Sequence, residues 1–372
     1  MKRFIAIGLL ISILTLLFTS CTQTKKEYPE VKSGSWYNEY FNTVVTVQSF
    51  SGDTNEAFAT VKERVGALLA EYHALFDIYH EYPGINNLKT VNDAAGISPV
   101  EVDARILDLI EHGIDLYSRF ASLDASGAND PTGTPDRAEG ALNIAMGSVL
   151  SLWHDARTSA TSGKAPEIPS PAELELARLH TDISSIVVDR GAGTLYISDP
   201  ECKIDVGAIA KGWAAEKIAE ALLADETLDV DGYVLNLGGN IRILGSKCGD
   251  DFIIGITHPD KTKDNPYVCK VSVRDTSIVT SGDYERYFEV GGTRYHHIID
   301  PDTLMPATYH RSVTVITEDS ALADALSTTL FTLHINKGKA LVDSLDGVEA
   351  MWVGTNGTVT MTDGFPEFKS GR

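Results

Sequence analysis

The chain is predicted to be an α+β protein, a single large domain in which a mostly antiparallel sheet has helices packed on it. Three observations predict this. From Ile183 onward, short alternating apolar runs follow one another, many joined by Gly pairs or Asn-Gly, which is the chemistry of hairpins. Ahead of them lie two segments whose apolar residues recur at helical spacing. No internal repeat and no long Pro/Ser/Gly linker divides the 372 residues, so one domain is the default.

In chain order, Val44 to Phe50 reads as a short strand. A helix follows with Ala57, Val61, Val65, Leu68 and Tyr72 on one face, and a second at about Asp103 to Phe120 carries Ile106, Ile110, Ile114 and Tyr117. Ala121 to Glu139, rich in Ser, Gly, Asp, Asn and Pro, reads as a surface loop. Ser185 to Asp189 and Thr194 to Ser198 flank Arg190-Gly-Ala-Gly193 as a hairpin, and about Ala208 to Ala224 is helical. Strands are then expected at Tyr233 to Leu237, Ile241 to Leu244, Phe252 to Thr257, Tyr267 to Val273, Tyr284 to Val290, Thr293 to Ile299 and Ser312 to Thr317. A helix starts at Ser320, and the last hairpin turns at Thr355-Asn356-Gly357.

Met1 to Ser20 opens with Lys2 and Arg3 and runs through apolar Phe4 to Phe18, the pattern of a secretory signal. The run is shorter than the ~20 residues of a spanning helix. Small residues ahead of Cys21 resemble a bacterial lipobox, in which that Cys becomes the lipidated first residue. The expected organisation is a signal over 1–20, a polar tether over 21–35 and one domain over 36–372, in an extracytoplasmic protein anchored to the cell membrane by lipid.

A formal net charge of −21 argues against nucleic-acid binding, which needs a basic footprint. It also repels a phosphate-bearing substrate at long range, for which a bound divalent cation is the local remedy. Besides Cys21 there are Cys202, Cys248 and Cys269, enough for one bridge at most and no disulfide scaffold. No Cys-x-x-Cys or His/Cys spacing suits zinc.

Asp324 and Thr328, four residues apart on one helical face, can offer a carboxylate and a hydroxyl to one point beyond the Asp300-Pro301 turn. Magnesium needs only one or two protein carboxylates. The ordinary reading is an Asp favoured by the helix dipole and a Thr bonded to backbone. Asp205-Val-Gly207-Ala208-Ile-Ala-Lys211-Gly212 leads from a strand into a helix and suits an anion at the helix start, or is a turn capped by Asp205. Asn236-Leu-Gly238-Gly239-Asn240 marks either backbone against a flat ligand or a hairpin that needs positive φ. His296 and His297 are adjacent in an expected strand, so only one of them can face a site.

These motifs in this order, together with Thr280-Ser-Gly282-x-Tyr-x-Arg286-Tyr287 and His297-x-Ile-Asp300-Pro301-x-Thr303, closely resemble the ApbE family of FAD:protein FMN transferases. The resemblance runs from Phe41-Asn42-Thr43, where the family usually has Met-Gly-Thr, to the last hairpin. It implies a T-fold-related domain. Mg2+ would be held by Asp324, Thr328 and backbone oxygen at Ala208, with Ser327 close by. FAD, the substrate, would meet Phe41, Tyr79, Ala141, Leu142, Asn143, Asp205, Lys211 and Ile298, with Gly238 and Gly239 against it, and His297 would be the general base.

Three departures stand out. Asn143 replaces a frequent Asp, Leu304-Met305 replaces a Gly-containing turn, and the Ala121 to Glu139 loop is long. The implied reaction moves FMN from FAD to a Thr or Ser hydroxyl on a subunit of a membrane redox complex, releasing AMP. Hydrolysis of FAD to FMN and AMP, and non-catalytic flavin binding, are the alternatives. A base of ordinary imidazole character would lose its function below about pH 6.5.

Overall fold

A computed structural model describes residues 26–124 and 138–370. Cys21 and the signal region lie outside the described residues, as does most of the Ala121 to Glu139 loop. The centre is an eight-stranded sheet. Its order is Lys32–Tyr40, Thr43–Ser49, Tyr233–Leu237, Asn240–Leu244, Ser277–Gly282, His310–Thr317, Glu349–Gly354 and Val359–Met361. Every neighbouring pair is antiparallel.

Alternation along these strands sends side chains to two faces. Val45, Val47, Leu235, Leu237, Val313 and Val315 point into the main core, which the helices Asn55–Phe76, Ala104–Asp124, Ala210–Leu223, Ser320–Thr332 and Ile335–Asp343 complete. Val234, Ile243, Ile278, Ile316 and Met351 point the other way. There the separate hairpin Phe252–Thr257/Tyr267–Val273 covers them. The helix Asn55–Phe76 starts where Thr54 accepts the Ala57 N–H at 3.2 Å, and its stripe buries Val61, Val65, Leu68 and Tyr72 as expected, with Phe58 in place of the exposed Ala57. The helix Ser320–Thr332 is buried on nearly every side, its Asp324, Ser327 and Thr329 side chains included.

A third cluster joins the helix Gly147–Thr161 to the short hairpin Tyr287–Val290/Thr293–His296 through Trp153, Phe288, Ile299 and Leu304. It forms an outer wall beside the sheet.

The structure departs from the sequence reading at several points. Residues 32–35, read as the end of a tether, start the edge strand Lys32–Tyr40, which has Gly34 and a polar exposed side and so shows little apolar pattern. Ser277–Gly282 is a strand of its own, and the next strand begins only at Tyr287. The strand after it ends at His296, because His297 and Ile298 turn toward Ala307. The helices Leu88–Asp93, Gly147–Thr161, Pro171–Arg178 and Ile335–Asp343 have no counterpart in the reading. Cys202, Cys248 and Cys269 are free thiols. Among the described residues, no helix is long and apolar enough to cross a membrane.

Candidate active site

One end of the sheet opens into a cleft, reached by the turn after Tyr40, the Gly238-Gly239 hairpin, the end of Ser277–Gly282, the helix Ser320–Thr332 and the helix Gly147–Thr161. Asp324 is 3% exposed on the second turn of its helix, not in the first. It receives the Gly212 backbone N–H at 2.8 Å, and the Lys211 ammonium stands 3.3 Å from both of its oxygens. One helical turn on, Thr328 faces the same cleft. Its neighbours Ser327, Thr329 and Thr332 bond to backbone carbonyls. Thr328 makes no such bond among the described residues, so the ordinary reading of that hydroxyl does not hold.

Asp205 is no helix cap. Its Oδ1 accepts the Gly207 N–H at 2.8 Å in a turn that precedes the helix Ala210–Leu223, and burial raises the carboxyl above its ordinary range. Gly238 and Gly239 combine the two readings offered for them. Both have positive φ, with Gly239 N–H bonded to Asn236 Oδ1 at 2.9 Å, and both line the cleft. A Cβ on Gly238 would run into the Thr43 side chain, which makes this one of the positions where glycine is required.

The two adjacent histidines separate as strand alternation predicts. His296 turns inward, with Nε2 2.8 Å from Ala307 O and its ring edge-on to Phe331. His297 lines the cleft, and its Nδ1 is buried without a hydrogen-bond partner. Burial first, then the positive charges of Arg286, Arg157 and Lys211, hold its imidazole well below the ordinary value. The ring is therefore neutral across the physiological range, and the expectation of an acid limb near 6.5 is corrected downward.

The expected residues Tyr79, Ala141, Leu142, Asn143, Asp205, Ala208, Lys211, Gly238, Gly239, His297, Ile298, Asp324 and Thr328 all border this cleft. Phe41 and Ser327 do not line it. Phe41 turns at φ +51° so that its ring packs on His73, while its carbonyl accepts from Arg286 at 3.1 Å and Thr43 takes the cleft position. The Ser327 hydroxyl is buried between Ser281 Oγ and Asp324 O. Asn143 is tied down on both sides of its amide, Oδ1 accepting from Ala145 N at 2.8 Å and Nδ2 donating to Thr181 O at 2.9 Å. Leu304 adopts φ +60° where a glycine is usual, held by the Trp153 indole N–H on its carbonyl at 2.8 Å.

Several lining residues escaped the sequence reading. Trp153, His154 and Arg157 come from the unread helix Gly147–Thr161 and Glu285 from the loop before Tyr287, while Arg286, part of the Thr280 to Tyr287 motif, has no role in that reading. His154 and Arg157 are three residues apart and share a helical face, a signal the sequence did contain. Tyr79 stacks on His154 with ring centroids 4.4 Å apart.

The donor set at Asp324 suits a hard cation. It offers a carboxylate, a hydroxyl and nearby backbone, all oxygen, and the carboxylate has lone pairs beyond its bonds to Gly212 and Lys211. The unpartnered, buried Nδ2 of Asn240 is close by, but as an N–H donor it is no ligand for a cation.

Fold and cleft together define an α+β protein with a recess in which Arg157, Lys211 and Arg286 stand among Asp205, Glu285 and Asp324, cations available to a substrate that carries phosphates. The chain belongs to the ApbE family, whose model matches residues 41–352. It is 35% identical over 281 residues to the FAD:protein FMN transferase of Treponema pallidum, spanning 72% of this chain and 70% of that protein. The FAD:protein FMN transferase of Klebsiella pneumoniae is 28% identical over 301 residues, 80% of this chain and 85% of its own. The crystal structure of the ApbE protein of Thermotoga maritima superposes with a TM-score of 0.73 at 28% identity, covering 92% of this chain and all of that one.

Proposed function

We propose that the cleft transfers FMN from FAD to a Thr or Ser hydroxyl of an acceptor protein, with AMP as the leaving product. The observation that carries this reading is the placement of the His297 imidazole, which burial holds well below its ordinary pKa, in the same cleft as Asp324 and Thr328.

Asp324, Thr328 and the backbone at Ala208 would hold Mg2+, which supplies neutralisation of phosphate charge when bound. The chain's own groups do the rest. Lys211 and Arg286 stand as fixed positive charges along the cleft, preorganised where negative charge develops on phosphate oxygens. His297 accepts the proton of the acceptor hydroxyl, whose oxygen forms the new bond to the FMN-side phosphorus as the bond to the AMP phosphate breaks. Such a base contributes about 10²- to 10⁴-fold. The backbone bond from His297 N–H to Arg286 O at 3.1 Å fixes the ring beside that arginine.

The proposed setting is extracytoplasmic, with the chain anchored through a lipidated Cys21 and acting on flavin-carrying subunits of membrane redox complexes. The experiment that tests the reading supplies FAD and Mg2+ with and without an acceptor peptide, following AMP by chromatography and covalent flavin by in-gel fluorescence. Acceptor-dependent covalent flavin supports transfer. AMP release without an acceptor points to hydrolysis, and FAD binding without AMP to a carrier.

A further inference from the structure

Arg157 is a cation that the proposed chemistry leaves unused. It lies one turn beyond His154 on the helix Gly147–Thr161 and lines the cleft with Tyr79 and Asp205. Four other arginines of this acidic chain pair closely with carboxylates, Arg105 with Asp103, Arg190 with Glu111, Arg274 with Asp251 and Arg311 with Asp283, and Arg286 in the same cleft is held by the carbonyls of Phe41 and Asn42. Arg157 has no carboxylate within ion-pair distance among the described residues. Its hydrogen-bond partner is His154 Nδ1, at 3.2 Å.

That bond has a direction. A guanidinium only donates, so His154 accepts at Nδ1 and carries its proton on Nε2. Burial first, then the charge of Arg157, keeps this imidazole below its ordinary value. The ring is also clamped by its stack on Tyr79, at an interplanar angle of 22°. Tyr79 and His154 thus fix one edge of the guanidinium and leave its remaining N–H groups to the cleft.

Burial also lowers the Arg157 pKa, the mark of a cation removed from water. Asp205 lies near enough to act on this charge but outside ion-pair distance, while Arg286 opposes it. A buried charge without a paired counter-ion is costly, and an anion in direct contact offsets that cost. A planar fork of donors matches phosphate oxygens in two-point contact. We propose that Arg157 is a phosphate anchor for FAD, aimed by the Tyr79–His154 stack and separate from the Asp324/Thr328 pair. The inference rests on the cleft being the FAD site.

The test is equilibrium binding, read by flavin and tryptophan fluorescence and by calorimetry for ADP. The probes are riboflavin, FMN, FAD and ADP, each with Mg2+ and with EDTA, on the full chain. Arg157→Met is expected to weaken FAD by about tenfold or more, the scale of a lost charged hydrogen bond. FMN, ADP or both should weaken likewise, while riboflavin, which has no phosphate, is unchanged. The effect should persist in EDTA. Arg157→Lys, which keeps the charge and the helix, should recover part of the affinity.

Equal losses for riboflavin and FAD would overturn the proposal in favour of a role in holding the stack, as would unchanged affinity for all four probes. If the wild-type chain binds no flavin, the FAD reading itself fails. A changed variant pattern on a wild type that does bind FAD concerns Arg157 alone.

Discussion

Gly212 donates its backbone N–H to the Asp324 carboxylate at 2.8 Å, across the contact between the helices Ala210–Leu223 and Ser320–Thr332. A Cβ at Gly212 would collide with the Ser320 carbonyl oxygen and with Asp324 Cβ. The glycine therefore brings the two helices close enough for the backbone to aim the carboxylate. Asp324→Ala should remain folded, since Lys211 at 21% side-chain exposure can turn to solvent, yet lose magnesium-dependent AMP release. Circular dichroism and an AMP assay check both. Near-normal activity at saturating magnesium would show that Asp324 is no metal ligand.

His297→Ala should bind FAD within a few-fold of wild type but transfer FMN at least about 10²-fold more slowly. In the wild type, burial and the neighbouring Arg286, Arg157 and Lys211 charges depress the imidazole. The rate should therefore hold well below pH 6.5 before its acid limb appears. A stable variant with full transfer rate removes His297 as the base, and a parallel loss of folding and FAD affinity assigns it a packing role.

Stability should fall in acid even without flavin. Burial lowers the pKa values of His73, His112, His154, His296 and His297, and that of His310 to about 4. Each binds a proton more tightly when unfolded, so its stabilising contribution is complete above about 6.5 and is lost as pH falls toward the folded value. Asp205, Glu216 and Asp300, raised by burial, act in the opposite sense, whereas the lowered carboxyls of Asp77, Asp103 and Asp199 act with the histidines. The melting temperature should drop between about pH 7 and about pH 5, and a flat or rising profile would contradict this balance.

Cys21→Ser should move the protein from the membrane fraction to the soluble fraction or leave an uncleaved precursor. Detergent partitioning before and after the substitution reads this directly. Unchanged partitioning means that the anchor is not a lipid on Cys21.

The Asp324/Thr328 face, the glycine hairpin and the inward–outward split of His296 and His297 were all legible in the sequence. Each follows from a local period, 3.6 residues for the helix and 2 for the strand, and local periods survive without knowledge of the fold. Hairpins of the antiparallel sheet were legible for a similar reason, because they join neighbours in sequence, whereas pairings such as Thr43–Ser49 with Tyr233–Leu237 join strands far apart in the chain. The edge strand Lys32–Tyr40 was not, since one of its sides faces solvent and half its apolar pattern is missing. Nor was the helix Gly147–Thr161, whose buried residues Val149, Trp153 and Ala156 are interleaved with Ser, Thr and Asp.

Only the tertiary structure decided which charges meet. Lys211 reaches Asp324, Arg286 reaches the carbonyls of Phe41 and Asn42, and Arg157 comes alongside Asp205 and Tyr79. These partners are far apart in sequence. A chain with net charge −21 predicts repulsion of phosphates, and it is folding, by gathering Arg157, Lys211 and Arg286 against Asp205, Glu285 and Asp324 at one end of the sheet, that offsets the acidic excess locally. Composition fixes the far field, whereas the field inside a cleft depends on which few side chains the packing brings there and removes from water.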